Sequence, residues 1–138
     1  MFLGRVVGTV WSSVKWGALD GLRLLMVRPY TLTDLAGRKC VPCRGGVPPM
    51  KGSELEDLIK HFPGWSMINE HHLTRAFKFP DFRTALEFTN KVGAIAEAEG
   101  HHPDIRLSWG KVEITTWTHK IDCLTENDFI LAAKINKL

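Results

Sequence analysis

From residue 53 onward, apolar and polar positions fall into an alternation of helical and strand periods. Ser53-Glu54-Leu55-Glu56 has the form of a capping box, and Leu55, Leu58, Ile59 and Phe62 recur at helical spacing, which predicts a helix to about His61. Pro63-Gly64 stops it. Trp65 to Asn69 and Leu73 to Phe79 then read as a hairpin, with Leu73, Arg75, Phe77 and Phe79 alternating against Thr74, Ala76 and Lys78. Asp81 caps a long helix that runs to Gly100, with Phe82, Ala85, Leu86, Thr89, Val92 and Ala96 on one face. A second hairpin joins Ile105–Trp109 to Val112–Thr118 across Gly110-Lys111. Thr125-Glu126-Asn127-Asp128 opens a last helix carrying Phe129, Ile130, Ala133 and Ile135.

Upstream the periods are weaker. Val6 to Trp11 and Leu22 to Val27 read as two short strands around a turn-like Gly17–Gly21 region. A lone hairpin of this size is not stable by itself. Pro29 to Pro49 reads as a connector with little room for regular structure. The expected fold class is α+β: a four-stranded antiparallel sheet with three helices on one face, in the order α-β-β-α-β-β-α, preceded by the N-terminal hairpin-like extension. The expected division is an extension at 1–32 and one domain at 33–138.

Charge narrows the partners. The net +3 lies in the first thirty residues, where Arg5, Lys15, Arg23 and Arg28 face only Asp20. The rest of the chain is balanced, so no nucleic-acid-binding face is expected on the main body. No apolar run approaches the roughly twenty residues of a membrane span, and Leu24–Val27 is too short for a signal core. The reading is a cytoplasmic protein with no membrane partner. Three cysteines without a secretory signal suggest reduced thiols. Cys40-Val41-Pro42-Cys43 has CxxC spacing, but a structural zinc site needs four ligands and no second pair is visible. Cys40 and Cys43 therefore read as loop cysteines, with no metal.

Candidate chemistry gathers near the C-terminus. Of six histidines, His101, His102 and His119 lie within nineteen residues of one another. Imidazole, with an unperturbed pKa of about 6.5, exchanges protons near neutrality. Gly100 ends the helix, and Pro103 biases His102 toward extended geometry. His119 ends the strand whose hairpin partner starts just after the His-His-Pro corner, so all three imidazoles are expected to line one cleft. Three imidazoles are also a common zinc set, but adjacent histidines rarely reach one ion, and acid–base use is preferred. Asp128 has a capping job inseparable from any role toward a histidine, and Glu97 reads first as a solvated helix charge. Trp65 and Trp109 read as core or edge aromatics, Trp65 being better placed to stack on a flat heterocycle. The second pair, His71-His72, sits in a hairpin turn with no expected converging partner and is assigned no chemistry.

Residues 33–138 resemble the pterin-4a-carbinolamine dehydratases. The resemblance is carried by Gly64-Trp65, the run Phe77 to Phe82, Glu97 with His101-His102-Pro103-Asp104, Val112 and Ile114, Thr118-His119, and Leu124-Thr125 with Asp128; the segment from Cys40 resembles the lead-in of bacterial members. It implies dehydration of 4a-hydroxytetrahydropterin to quinonoid dihydropterin, recycling the pterin, with no metal or organic cofactor. It implies His101 and His102 as the acid–base pair and His119 as the group on the 4a-hydroxyl. Pro103, Glu97, Trp65 and Asp128 match pocket-shaping positions, and a homodimer or homotetramer is implied. Residues 1–32 are similar to the opening hairpin of microcompartment shell vertex proteins, which implies a tether to a carboxysome-like shell or a gene-fusion remnant. The rival expectation is a binding module on the same fold, such as a carboxysome-associated Rubisco assembly factor or a dimerising coactivator. The presence of all three histidines favours the enzyme.

Overall fold

The computed structural model describes residues 4–10, 24–29, 31–41 and 49–138. Trp11, Leu22-Arg23, the 17–21 turn, Cys43, Gly45-Gly46 and Pro48, which carry several of the expectations above, lie outside the described residues. Strands β1 (Gly4–Val10) and β2 (Leu24–Pro29) pair antiparallel, with an irregularity between Val6 and Gly8. There follow α1 (Leu32–Gly37), α2 (Ser53–Ile59), β3 (Ser66–Ile68), β4 (His72–Lys78), α3 (Phe82–Glu99), β5 (Asp104–Ser108), β6 (Lys111–Thr116) and α4 (Glu126–Ile135). The four later strands form one antiparallel sheet in the order β3-β4-β6-β5. This is the expected α+β architecture, with one more helix than the sequence suggested.

That helix is α1, inside the segment read as an irregular connector. Thr31 caps it by accepting from the Asp34 N–H. Leu35 is fully buried, and Arg38 pairs with both Asp34 and Glu126. Six residues are too few to hold a helix alone; packing on α4 supplies the stability. The same contact explains why α4 buries more than the one face expected of it. Leu131 and Ala132 are as deeply buried as Phe129 and Ala133, because α1 covers the side that would otherwise meet water.

Three further expectations are corrected. Ser53 does not cap α2: Gly52, with φ +63°, takes the N-cap position, its carbonyl accepts from Leu55 and Glu56, and no side chain caps the helix. Along α3 the buried positions are Ala85, Phe88, Val92 and Ala96, while Phe82 and Leu86 lie exposed. The face is rotated so that Phe88 meets Phe77 and Phe79, with ring centroids 4.7 and 5.0 Å away. Trp109, read as a core or edge aromatic, is 75% exposed at the hairpin tip.

The core fills the space between the helices and one face of the sheet. Leu73, Val112 and Ile114 face inward, and Phe62 meets Phe129 edge-on at 5.2 Å. At and just past the end of β6 this inward row closes in two buried threonines, Thr116 and Thr118. Hydroxyls there need partners, and those partners define the site.

Candidate active site

Helix α3 ends by local chemistry. Gly100 adopts φ +63°, its N–H donates to Glu97 O at 3.2 Å, and the His101 N–H donates to Ala96 O at 3.1 Å. This paired closure fixes the backbone of His101 against the helix end. Past the end of β6, Thr125 caps α4 and the Asp128 carboxylate accepts from the Thr125 N–H at 2.9 Å. That capping box, legible in the sequence, places Asp128 under the end of β6.

The two local motifs meet. His101 Nε2 lies 2.7 Å from Asp128 Oδ1, with Asp128 fully buried and His101 only 5% exposed. Thr116 donates to the same oxygen at 2.8 Å, and Thr118 donates to Oδ2 at 3.0 Å. Thr118 also bonds Thr125 Oγ1 at 2.8 Å. A carboxylate is acceptor-only, so this ring of donors orients the His101 Nε2–H toward Asp128. The Nδ1 atom has no partner among the described residues. No fully buried side-chain nitrogen or oxygen among them lacks one, so Nδ1 reaches the surface.

His102 points elsewhere. Its Nε2 lies 2.9 Å from Glu97 Oε2, and both side chains are largely exposed. Glu97 thus has a specific partner beyond its role as a solvated helix charge. Pro103, half-buried, leads directly into β5, where Asp104 pairs with Thr115. Glu99, two residues from Glu97, turns inward: it pairs with Lys134 and accepts from the Cys40 N–H at 2.8 Å. Burial pushes its carboxyl up, but the hydrogen bonds from Lys134 and Cys40 outweigh that and leave it below the ordinary carboxylate range. Burial, with Glu99 nearby, pushes the Cys40 thiol up to about 12, which keeps it protonated and unreactive.

His119 takes a third partner. Its ring lies 4.2 Å from Trp117, which alternates outward between the inward Thr116 and Thr118. Among the described residues no ring contact or hydrogen bond joins His119 to His101 or His102. His101 faces inward to Asp128, and His119 lies over the outward-alternating Trp117. The pair His71-His72, expected to have no partners, converges on the same tryptophan, with centroids 5.9 and 6.2 Å from it. Trp65 is 6% exposed, packs edge-on against Phe77 at 6.5 Å and donates from Nε1 to Asn136 Oδ1 at 2.8 Å. Its ring belongs to the core.

Thr116, Asn127 and Trp117 are parts of this region that sequence reasoning missed. Asn127 bonds the Val41 backbone on both sides, accepting from its N–H at 3.0 Å and donating to its carbonyl at 2.8 Å. The buried threonines left a signal, since the period-two row from Val112 ends in hydroxyls at inward positions. Among the described residues, no three His, Cys, Asp or Glu side chains gather to hold a metal ion, and no helix is long and apolar enough to cross a membrane.

A family model for pterin 4 alpha carbinolamine dehydratase matches residues 48–138, the span that contains every residue of this site. The chain belongs to that family. A protein of Rubrobacter xylanophilus provisionally named pterin-4-alpha-carbinolamine dehydratase is 57% identical over 107 residues, covering 78% of this chain and 100% of the relative. A like-named protein of Alkaliphilus metalliredigens is 52% identical over 107 residues, covering 77% of this chain and 96% of its own length. The crystal structure of a transcriptional coactivator/pterin dehydratase from Brucella melitensis superposes with a TM-score of 0.62 at 32% identity, covering 65% of this chain and 97% of that one. The N-terminus differs: residues 1–42 match a second family model, ethanolamine utilisation protein EutN/carboxysome. The two matched spans do not overlap, one ending at residue 42 and the other starting at residue 48.

Proposed function

We propose that the chain dehydrates 4a-hydroxytetrahydropterin to quinonoid dihydropterin and water. The observation that carries this reading is the pairing of a buried, carboxylate-oriented imidazole, His101, with an exposed neighbour, His102, in a chain of the dehydratase family. The C4a–O bond breaks as a proton reaches the departing hydroxyl. The N5 proton leaves, and its electron pair forms the C4a=N5 bond. One imidazole to give a proton and one to take it suffice. His101 and His102 serve as this pair, each with one ring nitrogen engaged by a carboxylate and the other free to exchange a proton. His119 holds the 4a-hydroxyl.

Asp128 is a positioning residue acting through His101, and Glu97 acts likewise through His102. Pro103 stiffens the corner that carries both imidazoles, and Trp65 is assigned a pocket-shaping place held by its packing on Phe77. We take the catalytic domain to run from Thr31, which caps α1, close to the start at 33 expected from sequence. We place residues 1–30 outside it, and the match of residues 1–42 to the carboxysome-type model is the ground for proposing a tether to a microcompartment shell as a second, non-catalytic role. Assembly into a dimer or tetramer is part of the proposal, since β3 and β5 both end the sheet as open edges.

The test is turnover of each single variant. His101→Ala, His102→Ala and His119→Ala are each expected to slow dehydration by about 10²–10⁴-fold, with the far-ultraviolet circular dichroism unchanged. Wild-type turnover in both His101→Ala and His102→Ala would reject the assignment.

A further inference from the structure

A second cluster, which the proposed chemistry leaves unused, surrounds His119. We propose that Trp117 and the His71–Asp122 pair are positioning residues that hold the His119 imidazole in one orientation; this rests on the reading of His119 as part of the acid–base site.

His119 starts a tight turn. Thr118 N–H donates to Cys123 O at 3.0 Å, Ile121 N–H donates back to Thr118 O at 3.2 Å, and Asp122 takes φ +51°. A left-handed aspartate is an uncommon conformation that the surroundings must maintain. Its carboxylate lies 3.0 Å from His71 Nε2. His71 Nδ1 in turn lies 3.1 Å from His72 Nδ1, so the two rings share one proton. When His72 donates it, His71 accepts on Nδ1 and keeps its Nε2–H for Asp122. The hairpin turn between β3 and β4 is thereby fastened to the turn that bears His119.

Trp117 closes the arrangement. His71 and His72 lean on its indole from one strand, and His119 packs against it from the next turn. An exposed imidazole on a four-residue turn has several rotamers open to it. A neighbouring aromatic face and a fixed turn remove most of them, which is the orientation a catalytic group needs. The Asp122 side chain is 82% exposed, and an exposed side-chain hydrogen bond of this kind adds little to global stability. Its removal should therefore disturb His119 without unfolding the domain.

The experiment combines kinetics with nuclear magnetic resonance of the His119 ring protons in the full chain, using Trp117→Leu, Trp117→Phe and His71→Gln. In the wild type, one sharp set of His119 signals is expected, shifted upfield by the indole. Trp117→Leu should abolish that shift, Trp117→Phe should restore part of it, and His71→Gln should broaden or double the signals. Kinetically, Trp117→Leu and His71→Gln should each lower kcat by about tenfold, with KM changed less. In a His119→Ala background neither should cost anything further, because each acts through the missing ring. Unchanged His119 signals in both Trp117→Leu and His71→Gln, or an equal loss of kcat with and without His119, would overturn the proposal. A wild type that shows the expected signals without turnover would instead defeat the functional reading and leave the positioning intact. Should Trp117→Leu fail to fold, His71→Gln decides alone.

Discussion

Asp128 uses one carboxylate for two tasks, capping α4 through the Thr125 N–H and orienting His101 at 2.7 Å. Both oxygens are buried, so deleting the group leaves several donors without an acceptor. Asp128→Ala is predicted to lower stability by about 3 kcal/mol in urea denaturation and to slow turnover by no more than the roughly 10²–10⁴-fold expected of His101→Ala. Glu97, exposed and joined among the described residues to His102 alone, should behave differently. For Glu97→Gln we expect an unchanged melting temperature and a rate within about tenfold of wild type. Equal stability losses in the two variants would contradict the assigned geometry.

Acid stability should reveal Glu99. Its carboxyl is held below the ordinary value of 4.5 by hydrogen bonds that outweigh burial. A group depressed in the folded state contributes stability above its unfolded pKa and loses that contribution as pH falls through the folded value. The wild type should therefore lose stability on acidification below pH 4.5, and Glu99→Gln should flatten that slope. Urea midpoints taken across this range check it; parallel curves for the two proteins would refute the role.

Helix capping gives a sharp contrast. Thr125 caps α4 with a reciprocal box, whereas Ser53 caps nothing. Thr125→Ala is expected to cost about 1–2 kcal/mol and Ser53→Ala less than about 0.5 kcal/mol. Thermal denaturation of the two variants decides.

Domain limits are equally testable. Removing residues 1–30 should leave the melting temperature and turnover intact. Removing residues 1–41 takes away Leu35 and the Arg38 pairs, and should destabilise the remainder by at least the roughly 2–5 kcal/mol of a lost buried leucine. A large loss from the shorter deletion would make the N-terminal segment integral.

What the sequence made legible follows from range. Asp81, Gly100 and the Thr125–Asp128 box act within four residues, so α3 and α4 could be bounded from local chemistry. Helix α1 could not, because its stability comes from α4, nearly ninety residues away along the chain. The apparent box at Ser53 misled because Gly52 offered a backbone geometry that needs no side-chain cap. In the site, a role for Asp128 toward a histidine could be named but not separated from capping, because only the fold brings His101 to it. His71-His72 looked idle for the same reason: its partners, Asp122 and Trp117, lie on another turn that only the fold brings near.

The most direct test is the time course of 4a-carbinolamine breakdown, with the substrate generated in situ by a phenylalanine hydroxylase. The wild-type chain should accelerate the decay, and the His101→Ala/His102→Ala double variant, folded as before, should return it to the spontaneous rate. A folded wild-type protein that leaves the decay unchanged would contradict the assignment of dehydratase activity to this site.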